Sequence, residues 1–334
     1  MGGQTFPTRD QIHEMSSGFM PACVVAAAAD LDVFTVLGDA RMSAAELTEK
    51  LDSDPRATAM LLDAVAALGL LEKRDERYSV PAELRPLLTA GSPQTILPML
   101  QHRSNILRAW SQLAWVTKAG IPCPSQASVR GWEADRAAFV AAMHSVSGPL
   151  ADDLVARLGP PRFKHLLDVG GASGTWTMAF LRAVAGARAT LFDLPDAVAQ
   201  ARQRFAQTDL ADRVDFVAGD FYTDALPAGA DFAWVSAICH QHSRRHSRAL
   251  FAKVHAALVP GGRIAVRDLV MEPCRTRPVA GALFAINMLV NTDSGGTFTF
   301  DEYAEDLEAA GFRDPEWAVK TDDMSSVVVA RKGA

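Results

Sequence analysis

An apolar run that ends in an acid and then breaks into glycine, His165-Leu-Leu-Asp-Val-Gly-Gly-Ala-Ser-Gly174, constrains this chain more than any other stretch. A helical pattern follows through Thr175, Met178, Ala179, Leu181 and Arg182, so the sequence predicts a strand, a tight loop and a helix N-terminus. Glycine lets a backbone approach a ligand closely because it has no Cβ, and the first turn of a helix offers unpaired N–H groups and a positive dipole end. The loop is a candidate nucleotide or nucleoside site.

From here on, strand patterns at 165–169, 188–192, 213–217, 231–236 and 262–267 alternate with helical or loop segments. That alternation predicts an α/β fold, a doubly wound Rossmann-like sheet, whose ligands bind at the carboxyl ends of the strands. Four acids fall at or just past those ends: Asp168, Asp193, Asp220 and Asp268. A dinucleotide loop needs GxGxxG, but from Gly170 the second and third glycine positions hold Ala172 and Thr175, and no GxxxxGK[ST] occurs anywhere. Phosphate is therefore a poor fit. Asp193 can accept from both ribose hydroxyls, and Asp220, one strand further out, can accept from an adenine amino group while Phe221 packs on the ring. Together they describe an adenosine site without a diphosphate.

At 334 residues the chain has room for more than one domain, and 49% hydrophobic content supplies the cores. Residues 10–90 read as several helices followed by a hairpin, with Ser43-Ala-Ala-Glu46 as a capping box and Asp54-Pro55 as a helix start. A helix from Pro55 to Leu71 is expected to bury Met60, Leu61, Ala64, Val65 and Leu68, and residues 70–80 read as two short strands. Helix, helix, hairpin is a winged-helix pattern. Nucleic acid is a poor partner for it, because the first 100 residues hold 8 Lys+Arg against 14 Asp+Glu and the second helix offers only Arg56 to a groove. The alanine- and valine-rich helix expected from Phe19 to Leu37 points instead to a homodimer. Residues 91–160 read as mainly helical, with Trp110, Trp115, Trp132 and Phe139 serving either core packing or a substrate wall. The expected division is 1–95, a winged-helix-like dimerisation domain; 96–160, a helical linker and substrate-pocket segment; and 161–334, a cofactor-binding catalytic domain.

The longest apolar run near the N-terminus, Ala22 to Ala29, is far short of a bilayer span, so no membrane association is expected. Gly2 does not make a myristoylation signal, since the required Ser or Thr position holds Phe6. Cys23, Cys123, Cys239 and Cys274 have no CxxC spacing, which suits reduced thiols in a cytoplasmic protein and gives no zinc site.

The sequence resembles the S-adenosylmethionine-dependent small-molecule O-methyltransferases, the family that includes plant caffeate-type, acetylserotonin and bacterial polyketide enzymes. The resemblance runs from the winged-helix end through Leu167-Asp-Val-Gly-Gly-Ala-Ser-Gly174, Phe192-Asp-Leu-Pro195, Gly219-Asp-Phe221, Ile238-Cys-His240 and Leu258-Val-Pro-Gly-Gly262. It implies a homodimer formed through the N-terminal domain and S-adenosylmethionine as cofactor, leaving as S-adenosylhomocysteine, with no metal. It implies cofactor contacts at Asp168, Gly170, Gly171, Gly174, Asp193, Leu194, Asp220, Phe221, Ser236 and Ser147. The small-molecule substrate, expected to be aromatic or polyketide-like, falls to Phe139, Met143, Phe284, Asn287, Met288 and Asn291, and His240 matches the catalytic base with Asp268 orienting it.

His is poised near neutral pH, and a hydroxyl must lose its proton as it attacks a methyl group, so the residue type suits the role. Three departures from the plant pattern stand out. Gln241 follows the base where plant members have Asp, Ser236 replaces a cofactor-contacting Lys, and Gly295-Gly296 is followed by Thr297 and Phe298 rather than a second orienting Glu. Rival readings are a strand-end histidine with a structural partner, a metal site at His240, His242, His246 and Asp268, methylation at an enolate or ring carbon, and a non-catalytic winged-helix regulator.

Overall fold

The computed structural model describes residues 6–159 and 162–333; Gly2, weighed above for acylation, lies outside them. The N-terminal elements are α1 (Arg9–Ser17), α2 (Phe19–Asp30), α3 (Val33–Leu37), β1 (Met42–Ser43), α4 (Ala44–Leu51), α5 (Pro55–Ala67), β2 (Glu72–Arg74), β3 (Arg77–Ser79), α6 (Arg85–Leu88), α7 (Leu97–Trp110), α8 (Leu113–Ala119) and α9 (Trp132–Arg157). The chain divides into two compact units, one running through Arg108 and including Ser125–Ser145, the other made of Ala109–Pro124 and the chain from Val146 on.

In the first unit the capping box forms as the sequence implies, with the Ser43 side chain accepting from the Glu46 N–H and Glu46 reaching back to Ser43, while Asp54 caps α5. The antiparallel order β1-β3-β2 beside α4 and α5 makes the wing. Its core joins Ala28, Phe34, Leu47, Leu62, Val65 and Tyr78. The expected Phe19–Leu37 helix is broken: Asp32 sits at φ +56°, a left-handed conformation that Asp tolerates better than most residues, and separates α2 from α3. The buried face of α5 also differs from the expectation. Thr58, Leu62 and Val65 point inward, whereas Met60 and Leu68 are exposed. Further along this unit, the Asp135 carboxylate near the start of α9 accepts from the Ser128 N–H and hydroxyl, and Arg130 pairs with both Asp30 and Asp135.

The second unit continues with β4 (His165–Val169), α10 (Thr175–Ala183), β5 (Arg188–Asp193), α11 (Pro195–Phe205), β6 (Val214–Ala218), β7 (Ala230–Ser236), α12 (Arg244–Ala257), β8 (Leu258–Asp268), β9 (Val270–Met271), α13 (Val279–Asn291), β10 (Phe298–Thr299), α14 (Phe300–Ala309), β11 (Phe312–Val319) and β12 (Ser326–Lys332). Seven strands make a sheet in the order β11-β12-β8-β7-β4-β5-β6. The strands from β8 to β6 run parallel, and the pair β11 and β12, absent from the strands the sequence pattern predicts, adds an antiparallel edge.

Alternate residues feed two apolar layers. Leu166, Trp234 and Ala265 join Trp176 and Phe180 on one face; Leu167, Val235 and Val266 join Phe251 and Tyr303 on the other. Each fully buried large side chain contributes about 1.5–3 kcal/mol, so this sandwich is the rigid base of the site. Strand order reverses between β4 and β7, the switch point where such sheets bind ligands. Registers align the strand ends across it: Val169 pairs with Phe192 and with Val235, Asp193 with Ala218, and Ser236 with Arg267.

Candidate active site

The glycine loop crosses the end of β4 and is tied to β5 by the Gly170 N–H donating to the Phe192 carbonyl at 2.8 Å. At Gly174 φ is +76°, and a Cβ there would lie 2.5 Å from the Phe205 ring, so only glycine closes the turn into α10. Asp168, expected as a strand-end ligand, instead lies one residue inside β4 and is 1% exposed. Its carboxylate accepts from the Thr177 hydroxyl at 2.5 Å, and burial pushes it up to about 7, with the nearby Asp193 charge adding to the rise against the Thr177 bond. It acts beneath the loop rather than on its surface.

Asp193 at the end of β5 faces the loop. One carboxylate oxygen accepts from the Ala172 N–H at 2.7 Å and the other from the Leu194 N–H at 2.6 Å. Burial raises this carboxyl, and the two amides oppose the rise. Each oxygen keeps a second lone-pair direction for a ligand hydroxyl. Leu194, half exposed, follows as an apolar lip.

At the end of β6, Asp220 Oδ1 accepts from the Tyr222 N–H at 2.8 Å, and among the described residues Oδ2 has no partner. Phe221 beside it meets the Tyr222 ring at 4.9 Å and the His242 ring edge-on at 5.8 Å. Tyr222 Oη lies 2.5 Å from His242 Nδ1. Burial, helped by His246 and His240, lowers the His242 pKa, so the neutral ring accepts the phenol proton's hydrogen bond. These acceptors suit the hydroxyl and amino groups of a nucleoside, and Arg204 beside the glycine loop donates to the Ser173 carbonyl at 2.6 Å rather than standing free for a phosphate. S-adenosylmethionine fits this donor and acceptor set better than a dinucleotide does.

His240 sits in a short 3-10 turn after β7 and is 6% exposed. Its Nδ1 lies 2.7 Å from Asp268 Oδ1, and its backbone N–H donates to Asp268 Oδ2 at 3.2 Å. Asp268 is fully buried at the end of β8. Burial alone raises its carboxyl, but the His240 ring and the N–H groups of Leu269 and His240 outweigh that and hold it below the ordinary range. An ionised Asp268 accepts the Nδ1 proton, which leaves Nε2 as the basic nitrogen. The edge of the His240 ring packs on Phe284 of α13 at 4.9 Å.

The position of the missing second Glu is answered by backbone. Gly296 N–H donates to the His240 carbonyl at 2.8 Å, and a Cβ on Gly295 would lie 2.4 Å from that same oxygen. The Gly295-Gly296 pair thus fixes His240 from behind, a role its sequence signal does not state.

Ser236 does not stand free for a ligand: its hydroxyl accepts from Arg267 Nη1 at 3.1 Å, and the buried Arg267 guanidinium lies 4.5 Å over the Trp176 ring. On α13, Asn287 Oδ1 accepts from the Trp110 indole N–H at 3.0 Å and from Asn291 Nδ2 at 3.1 Å, while Met288 points into the core. Because an indole N–H only donates, the orientation of the Asn287 amide is set by Trp110. Ser147 on α9 is partly buried. Phe139 and Met143 belong to the first unit, where Phe139 packs edge-on against His102 at 5.0 Å. His242 and His246 have side-chain partners in Tyr222 and Ser243, and among the described residues no group of three His, Cys, Asp or Glu is arranged to hold a metal ion.

Comparison with known proteins adds a family assignment. Residues 104–313 match the model of the O-methyltransferase domain and residues 13–83 that of the O-methyltransferase dimerisation domain. The chain is 32% identical over 311 residues to the tetracenomycin polyketide synthesis 8-O-methyl transferase of Streptomyces glaucescens, covering 91% of each chain. It is 29% identical over 339 residues to the acetylserotonin O-methyltransferase of Bos taurus, covering 96% of this chain and 97% of that one. Its fold is similar to the crystal structure of human N-acetylserotonin methyltransferase in complex with SAM, with a TM-score of 0.82, 26% identity and full coverage of both chains.

Proposed function

The chain belongs to the O-methyltransferase family, and from that premise we propose that it methylates a hydroxyl of an aromatic or polyketide-like small molecule with His240 as general base. The chain is an S-adenosylmethionine-dependent transferase, and the cofactor supplies an electrophilic sulfonium methyl group. Asp193 receives the ribose hydroxyls, and Asp220 with Phe221 receives the adenine. The loop Gly170–Gly174 with Leu194 encloses the rest, and Ser147 and Ser236 border it. Asp168 holds the loop from below through Thr177. Phe284, Asn287 and Asn291 on α13 take the acceptor; Phe139, Met143 and the buried Met288 are assigned to it by the family resemblance alone.

With S-adenosylmethionine bound, the methyl would pass from its sulfur to the acceptor oxygen, leaving S-adenosylhomocysteine; His240 Nε2 is placed to take the hydroxyl proton released and Asp268 to stabilise the imidazolium that forms. The observation that carries this is the Nδ1 to Asp268 bond at 2.7 Å, which leaves the other ring nitrogen as the only basic one. Holding oxygen and methyl in line is worth on the order of 7–11 kcal/mol, against about 10²- to 10⁴-fold in rate from the base, so positioning dominates. His240→Ala is expected to bind S-adenosylhomocysteine normally in calorimetry while turnover of a phenolic acceptor drops about a hundredfold or more; undiminished turnover removes His240 from the mechanism. Locating the new methyl by NMR separates oxygen from carbon as acceptor.

The dimerisation domain supports homodimer formation, and exposed Phe19 and Met20 on α2 with Met60 on α5 offer apolar surface for it. We assign residues 1–95 to dimerisation, 96–160 to the linker and substrate pocket, and 161–334 to cofactor binding and catalysis. The scattered free cysteines and acidic N-terminal part favour a cytoplasmic protein without nucleic-acid or membrane partners. No described helix is long and apolar enough to cross a membrane.

A further inference from the structure

We propose that Lys253 is a positioning residue for cofactor binding: its ammonium group holds the loop 220–224 in the shape that presents Asp220 and Phe221 to the adenine. Lys253 projects from α12, and its Nζ donates to three carbonyl oxygens of that loop, Phe221 at 2.6 Å, Tyr222 at 2.9 Å and Asp224 at 2.8 Å. An ammonium carries three N–H donors, so the group is saturated by backbone alone, and no carboxylate pairs with it among the described residues. A lysine that needs only a counter-ion does not select three carbonyls of one five-residue turn.

The loop's remaining polar groups complete the account. The Thr223 and Asp224 N–H groups donate to the Asp220 carbonyl at 3.0 and 2.7 Å, the Tyr222 N–H to Asp220 Oδ1 and the Asp220 N–H to Asp224 Oδ2, both at 2.8 Å. The N–H groups thus close the turn on the Asp220 carbonyl and on the Asp220 and Asp224 carboxylates, while the carbonyls of Phe221, Tyr222 and Asp224 turn to Lys253. Without the ammonium, three convergent carbonyl dipoles repel one another, and the turn opens. Since Tyr222 N–H holds Asp220 Oδ1, opening turns the free Oδ2 away from its ligand direction. A second tether, Tyr222 to His242, joins the same loop to the segment two residues past His240.

This inference rests on Asp220 and Phe221 being the adenine contacts, and the test separates the two. In calorimetry with S-adenosylhomocysteine, Lys253→Met is expected to raise Kd at least tenfold. In steady-state kinetics it raises the cofactor KM similarly, with kcat at saturating cofactor falling less than threefold. Lys253→Cys treated with 2-bromoethylamine, which rebuilds an ammonium of nearly lysine length, regains most of the affinity, whereas identically treated wild type is unchanged. An unchanged Kd in a folded Lys253→Met, or a kcat loss with no change in KM, overturns the role of Lys253. If Lys253→Met does not fold, the aminoethylated protein against its untreated Lys253→Cys parent decides, and equal affinity of the two overturns it. Asp220→Ala is the companion variant: full affinity there sinks the adenine assignment itself, whatever Lys253 does.

Discussion

Asp268 holds His240 twice, through the ring Nδ1 at 2.7 Å and through the backbone N–H at 3.2 Å, so one buried carboxylate sets both the tautomer and the seat of the imidazole. Asp268→Asn keeps the shape but offers an amide, whose carbonyl still accepts from Nδ1 and whose NH2 competes to invert the tautomer. Turnover is expected to fall about 10²- to 10⁴-fold, and the His240→Ala, Asp268→Asn double variant to lose no more than the worse single one. Additive losses in single-turnover kinetics would show that the two residues do not act as a unit.

Gly295 sets the backbone of the same residue. A Cβ there meets the His240 carbonyl at 2.4 Å, Thr292 Oγ1 at 2.5 Å and the Gln241 carbonyl carbon at 3.0 Å, and two of these atoms are backbone that cannot swing aside. Gly295→Ala is expected to displace His240, costing about 1–3 kcal/mol of stability and at least tenfold in kcat, with S-adenosylhomocysteine affinity nearly intact because the glycine loop is untouched. A crystal structure of the variant with an undisturbed His240 and normal kcat contradicts this.

Asp168 gives the apo protein a pH-dependent stability. Its carboxyl is pushed up to about 7 by burial from an ordinary value of 3.8, so between those values the folded state holds a proton that the unfolded chain has released. The contribution is full below about pH 4 and is lost as pH rises through 7, a swing of about 4 kcal/mol. Urea unfolding at pH 5 and pH 8 is expected to show a smaller loss of stability at pH 8 for Asp168→Asn than for wild type; parallel pH profiles count against it.

Asp193 holds the glycine loop through the Ala172 N–H, and in the proposed function it also receives the ribose hydroxyls. Asp193→Ala removes the acceptor of the Ala172 and Leu194 N–H groups as well as the ribose contact. Affinity for S-adenosylhomocysteine is expected to drop a hundredfold or more, and that for adenine alone much less. Equal losses for both ligands in calorimetry indicate collapse of the loop rather than loss of the ribose contact.

Much of this fold is legible in the sequence because its signals are local. Strand β4, the turn at Gly170–Gly174 and the caps at Ser43 and Asp54 follow from neighbours a few residues apart, and each forms where the pattern places it. Strand β11 escapes the reading because this half-exposed antiparallel edge lacks the continuous apolar run of the buried strands, whereas β12 does carry such a run, Val327-Val328-Val329-Ala330. The break at Asp32 escapes it because apolar residues continue on both sides of the kink.

The sequence by itself determined the order of the parallel strands' acids and the glycine turn between them, and hence a nucleoside site rather than a diphosphate site. Only the tertiary structure decided what each acid does. Asp168 turns inward to Thr177, Asp193 binds the loop, Asp220 keeps one oxygen without a partner among the described residues and Asp268 takes His240. Likewise Ser236 is claimed by Arg267 across the β7–β8 register, and Lys253 by carbonyls 29 to 32 residues away. Such pairings are set by which strand ends lie level and which faces are buried, and no local pattern encodes either.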